Sequence, residues 1–136
     1  MVQRTRNPRL KTRIVAMIDE SGLYGMESII FVAPKVESSP THYLLGILNS
    51  SLINYVYATK FLNVAVKAEY LKDTPIPRAD SLRQNRVVEV VKNILRAKQR
   101  DAEADVSALE REIDQLVYAL YGLTPEEIQI VESAAR

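Results

Sequence analysis

The sequence predicts an α+β fold: a small, mostly antiparallel sheet with one packed helix, followed by a long C-terminal helix or helical hairpin. Three observations predict it. Two short runs rich in β-branched residues, Thr12 to Ile18 and Ser28 to Ala33, fall early in the chain. Leu44, Leu45, Leu48, Leu52, Ile53, Tyr55 and Val56 then give one broad apolar face at helical spacing. Beyond Val87, apolar residues recur three and four apart almost to the end.

In chain order, the first run ends at a turn signal, Asp19-Glu20-Ser21-Gly22. The second stops at Pro34, which has no N–H to give a ladder. Together they read as an antiparallel pair or two strands of a small sheet, and Val36 to Pro40 as a loop. Thr41 is placed as the cap of a helix running to about Thr59. Gly46 inside it weakens the helix and permits close packing. Asn63 to Val66 reads as a short strand or bend, and Lys67 to Lys72 is ambiguous. Thr74-Pro75-Ile76-Pro77 must be extended, because each proline fixes its own φ and restricts the residue before it.

Val87, Val88, Val91, Ile94 and Leu95 form one helical stripe; Val106, Leu109, Ile113, Leu116, Val117 and Leu120 form a second. The polar stretch Lys98 to Asp105 lies between them. The spacing nearly continues one heptad register, so a single helix of about 40 residues, on the order of 60 Å long, competes with a break there; the hairpin is preferred. Arg83, Arg86, Lys92, Arg96, Lys98 and Arg100 make the first part basic. Asp101, Glu103, Asp105, Glu110, Glu112 and Asp114 make the next part acidic. A chain that folds back would let these blocks face one another; the plainer reading is that they keep the helices in water. Further on, Gly122 suits a left-handed helix stop, Thr124 an N-cap, Pro125 the first helical position and Glu127 the reciprocal acid of a capping box. Residues 1–80 are thus expected to form the α+β part, and 81–136 a helical part of the same domain.

With 136 residues, 47% apolar and 26% charged, the chain is the size of one domain and can bury a modest core. It has no cysteine, which excludes disulfides and thiolate chemistry and fits a cytoplasmic location. No apolar run approaches a membrane span. The net charge of +1 hides an asymmetry: residues 1–72 carry nine Lys/Arg against five Asp/Glu, whereas 73–136 carry nine against twelve. Arg4, Arg6, Arg9, Lys11 and Arg13 occur with no acid among them, the kind of cluster that phosphate contact requires. On charge alone, a solvated terminus is the commoner explanation.

Nothing here does bond chemistry on its own evidence. His42 is the one histidine and lacks partners at metal-ligand spacing. Ser50 and Ser51 have no nucleophile-elbow context, and the four glycines are too scattered for a phosphate loop.

Three phrases say more. YLLGILNSSL (Tyr43 to Leu52), EYLKDTPIP (Glu69 to Pro77) and the LYGL terminus within EIDQLVYALYGLTPEEI (Glu112 to Ile128) resemble, in order and rough spacing, the recognition region of type IIG restriction–modification enzymes and TaqI-like adenine DNA methyltransferases. The opening residues resemble the start of such regions, and the likeness runs from about Val2 to Glu132. It implies a target-recognition domain that reads duplex DNA, with C-terminal helices as spacer or packing element. The matching catalytic domain would carry S-adenosylmethionine and an Asn-Pro-Pro-Tyr-type motif. Neither is found here, so no cofactor and no catalytic residue is assigned to this chain, and it reads as a non-enzymatic piece of a larger polypeptide.

The resemblance places the phrases in the scaffold. Asn49 would satisfy backbone or packing needs, and Leu48, Leu71, Ile76, Tyr118, Leu120, Tyr121 and Leu123 would be core or hinge. Readers of sequence would lie between the phrases. The DNA-binding candidates are Arg4, Arg6, Arg9, Lys11 and Arg13, with Lys60 and Lys67 after the LNS helix as second choices, since arginine bonds guanine bidentately and lysine meets phosphate. Tyr24, Tyr57 and Phe61 could stack on bases, although such spacing is more often core. The implied partners are double-stranded DNA and the methyltransferase domain, with or without a nuclease, of the same polypeptide. The rival reading is a helical interaction module of a restriction–modification or phage-defence complex, dimerising through the C-terminal stripe. A small enzyme of unknown class is the remaining alternative.

Overall fold

The computed structural model describes residues 1–3, 14–19, 21, 29–30, 32, 40–61 and 66–135. Helix dominates them. The helices are α1 (Thr41–Asn49), α2 (Ser51–Lys60), α3 (Ala68–Lys72), α4 (Ser81–Arg100), α5 (Ser107–Tyr121) and α6 (Pro125–Ala135). Two two-residue strands, β1 (Val2–Gln3) and β2 (Ile29–Ile30), pair antiparallel. The α+β expectation is overturned: the described chain is a mostly helical assembly carrying a minimal β element.

The expected pairing of the two β-branched runs is not what forms among the described residues. Residues 14–17 instead run beside β1, with an isolated antiparallel bridge between Val2 and Ala16. The Gln3 N–H donates to the Val15 carbonyl, and the Met17 N–H to the Met1 carbonyl, each at 2.9 Å. Helix side chains take the backbone groups that a further strand would have bonded. Asn54 Oδ1 accepts the Ile14 N–H at 2.7 Å. Asn49 accepts the Ala16 N–H at 2.8 Å and returns its own Nδ2–H to the Ala16 carbonyl at 2.9 Å. Two asparagines therefore replace a strand edge, satisfying the backbone without extending a ladder.

The single helix expected over 41–59 is two. Ser50 stands between them in an extended conformation (φ −64°, ψ 154°). Its hydroxyl donates to the Ile47 carbonyl at 2.7 Å and accepts from the Ile53 N–H at 3.3 Å, closing α1 and capping α2. Thr41 is not a cap: Pro40 holds that position, with no side-chain cap bond. Asp114 of α5 supplements the α2 terminus, accepting the Ser51 N–H at 2.7 Å and the Ser51 hydroxyl at 2.6 Å. A carboxylate suits this end of the helix dipole. Burial nonetheless pushes the Asp114 carboxyl above the ordinary range, against the opposing pull of the two Ser51 bonds.

The ambiguous stretch after Val66 contains the short helix α3; residues 63–65 of the expected bend lie outside the described residues. The C-terminal pattern resolves as a hairpin. Asp101 turns extended after α4, its carboxylate accepting the Glu103 N–H at 3.0 Å, and Asp105 accepts the Ser107 N–H at 2.9 Å. Short carboxylates competing for backbone N–H groups break the register that the apolar spacing would have continued. The charge blocks meet at one ion pair among the described residues, Arg86–Glu112 at 2.7 Å. Being largely exposed, it contributes about 0–1 kcal/mol.

α4 packs on both α1 and α5, and α6 folds back on α2. Gly46 sits where α1 meets α4: a Cβ there would lie 2.9 Å from Val87 Cγ1 and 3.1 Å from Val91 Cγ2. Tyr43, Ile47, Val87, Val117 and Tyr118 form the centre of the core. α5 ends as its residues dictate. Gly122 is left-handed (φ 67°), its N–H donates to the Ala119 carbonyl, and the Leu123 N–H reaches the Tyr118 carbonyl at 3.0 Å. Thr124 and Glu127 then close a reciprocal capping box at 2.8 and 3.3 Å. The Tyr118 hydroxyl is buried without a hydrogen-bond partner among the described residues. Burial, then the nearby Asp114 and Glu132, push it up to about 12.

Candidate nucleic-acid interface

The three phrases converge in space. The Tyr43 hydroxyl on α1 donates to the Pro77 carbonyl at 2.8 Å, and the Tyr121 hydroxyl at the end of α5 donates to the Pro75 carbonyl at 2.6 Å. Pro75 and Pro77 have no N–H, so their carbonyls are the backbone groups by which these two residues can be tied down. Burial raises the Tyr43 hydroxyl; burial, then the proximity of Tyr43, pushes Tyr121 up to about 12. Both remain protonated donors at neutral pH.

Of the sequence-predicted contact residues, Arg4, Arg6, Arg9, Lys11 and Arg13 lie outside the described residues. Their described neighbours are firmly placed. Gln3 is bonded to Val15 before the cationic segment, and Ile14 to Asn54 after it. The backbone entering and leaving the cationic segment is therefore held side by side. Lys60 closes α2 and Lys67 precedes α3; both are exposed. They border one aromatic cluster. The Phe61 and Tyr70 rings stack at 3.8 Å, Tyr57 meets Phe61 at 5.0 Å, and Lys67 Nζ lies 5.7 Å from the Tyr70 ring centre. The Tyr57 hydroxyl accepts the Lys67 N–H at 3.2 Å. Tyr57 is a core residue, buried with its ring against Phe61, so it is not free to stack on a base. Tyr24 lies outside the described residues.

Asn54 was missed by sequence reasoning, although a signal existed: an amide standing among Leu52, Ile53, Tyr55 and Val56 on an otherwise apolar helix. Asp114 was counted with an acidic surface block and instead serves the α2 terminus. His42 joins no metal-binding group among the described residues.

The family model of the TaqI-like C-terminal specificity domain matches residues 5–76. The chain belongs to that family. No curated protein and no solved structure gives a match. As a TaqI-like specificity domain the chain has a DNA-recognition role in restriction–modification, a role that is non-catalytic in itself. The match takes in most of the cationic segment, α1 to α3 and the extended segment to Ile76. The C-terminal LYGL phrase lies beyond it, joined to the matched part through the Tyr121–Pro75 bond. No described helix of this specificity domain is long and apolar enough to cross a membrane.

Proposed function

We propose that this specificity domain recognises a particular duplex sequence on behalf of an adenine DNA methyltransferase or a combined restriction–modification enzyme. Residues 1–80 read the DNA and 81–136 act as spacer and packing support. Arg4, Arg6, Arg9, Lys11 and Arg13 supply the main contacts, with Lys60 and Lys67 secondary. A methyltransferase domain of the same polypeptide binds S-adenosylmethionine and flips the target base for methylation. The observation that supports this best is the anchoring at Ile14 and Ala16. Asn49 and Asn54 fix the backbone immediately after the cationic run, which suits side chains that must be held in register on a groove. The rival reading, dimerisation through the C-terminal stripe, is disfavoured because Val91, Ile113 and Val117 are already buried within the chain.

Duplex binding followed by fluorescence anisotropy over a salt series tests the proposal. Each phosphate contact contributes about 0.9 to the slope of log K against log salt. Arg6→Ala with Arg9→Ala should make the slope shallower by up to about 1.8, with weaker binding at every salt concentration. Identical slopes and affinities in the wild type and the double variant would remove this segment from the interface.

A further inference from the structure

The outer face of α4 carries cations that the hairpin does not use. Lys92, Arg96 and Arg100 are spaced four apart, so they form one line down the helix with a rise of about 6 Å per step. All three are exposed. The grooves that α4 borders are lined through Arg83, Arg86 and Val87 on one side and Val91, Ile94 and Leu95 on the other. Val87, Val90 and Val91 are the buried residues of α4, and at 3.6 residues per turn Lys92, Arg96 and Arg100 fall on the opposite face.

Local needs account for only part of this line: Arg96 Nη1 donates to Asn93 Oδ1 at 3.4 Å, and Arg100 lies in the last turn. Among the described residues the ion pairs on α4 use Arg83 and Arg86, and no carboxylate pairs with the three. Two of the acids across the hairpin are engaged elsewhere: Glu112 holds Arg86, and Asp114 turns inward to Ser51. Glu89, the one acid on α4 and one turn before Lys92, makes no ion pair among the described residues. Lys98 is used by the turn after α4, its Nζ donating to the Ala102 carbonyl at 3.0 Å. The dipole fades within one turn, so it accounts for Arg100 in the last turn but not for Lys92 or Arg96.

Resting on the DNA-recognition reading above, we propose that this face of α4 is a second phosphate-contacting surface. It runs along the backbone of the same duplex, beyond the segment that reads sequence. Charge complementarity commits it to nucleic acid. The line is cationic with polar Asn93 and Gln99 beside it, and it lacks the buried aromatic anchors around which protein interfaces are built. It also lies outside the residues matched by the family, 5–76, so it is a property of this chain's helical part.

The test is the salt dependence of duplex binding for the whole chain, for Lys92→Gln with Arg96→Gln, and for Arg83→Gln with Arg111→Gln, exposed cations off this face and outside residues 1–80, as a charge-matched control. Glutamine keeps helix propensity close to that of lysine and arginine, and circular dichroism checks that each variant is folded. The expected result is a slope shallower by about 1.8 for the α4 pair, two contacts at about 0.9 each, with sequence preference retained and the control unchanged. An α4 pair whose slope matches the wild type overturns this surface while leaving the DNA-recognition reading intact. Equal losses in both pairs overturn it as well, since the effect is then net charge alone. A folded wild type that binds no duplex at low salt overturns both readings. Loss of binding to an acidic methyltransferase domain, with an unchanged DNA slope, would assign the face to protein instead.

Discussion

Replacing Gly46 with leucine will force α1 away from α4 and lower the thermal midpoint by about 10 °C. The position has no room for a side chain. Even a Cβ would stand 2.9 Å from Val87 Cγ1 and 3.1 Å from Val91 Cγ2, and the β-branched valines cannot swing clear without leaving their rotamers. Overpacking of this kind costs typically 1–3 kcal/mol, and a whole isobutyl group between two helices belongs at the upper end. At about 3–4 °C per kcal/mol for a domain of this size, the shift is readily measured by circular dichroism. Gly46→Ala will be far milder, because alanine regains about 1 kcal/mol of helix propensity while pressing on the same valines. A leucine variant melting within 2–3 °C of the wild type, on the order of the shift from 1 kcal/mol or less, would show that the α1–α4 contact is looser than described.

Asn54→Ala will destabilise the chain by about 2–3 kcal/mol and release the segment that begins at Ile14. The Asn54 carbonyl oxygen accepts the Ile14 N–H at 2.7 Å, and its amide returns to the Ser50 carbonyl at 3.1 Å, with the side chain 7% exposed. Truncation orphans a buried backbone donor, for which the penalty is about 1–3 kcal/mol, and leaves a void besides. Amide hydrogen exchange at Ile14 should lose its protection. Duplex affinity should fall along with it, since the cationic run loses its anchor. Asn49→Ala, at an exposed position, should cost less. Unchanged protection at Ile14 in the Asn54 variant would mean that the anchor lies elsewhere.

Much of the helical part was legible in the residues because its signals are local. Gly122, Thr124 and Glu127 each meet a requirement within one turn of chain, and the structure uses each as its chemistry suggests. The hairpin was preferred to a single long helix on the polar stretch alone, and the carboxylates of Asp101 and Asp105 are what break it. The interruption at Ser50 was hidden, because the apolar spacing from Leu48 to Leu52 continues straight through it. The fold class was wrong for a related reason. β-branched runs announce extended backbone but not what pairs with it, and here two asparagines on helices stand in for a strand. Of the candidate contact residues read into the loop after the LNS helix, Lys60 is instead the last residue of α2, and Lys67 immediately precedes α3. The arginines chosen near the first strand adjoin the anchored backbone but lie outside the described residues. Asn54 was passed over because one amide in an apolar stripe looks like noise until its partner, 40 positions away in sequence, is known.

The central claim, that this domain reads sequence and does more than hold DNA by charge, is tested most directly by selection from a pool of randomised duplexes at moderate salt. Rounds of capture on the folded chain, followed by sequencing, should enrich one short motif. That enrichment should collapse in Arg6→Ala with Arg9→Ala, because the specific contacts, about 1–3 kcal/mol per correctly read base pair, are then lost. Binding that persists through the selection while the recovered duplexes stay as random as the input would contradict the claim and leave a non-specific phosphate binder.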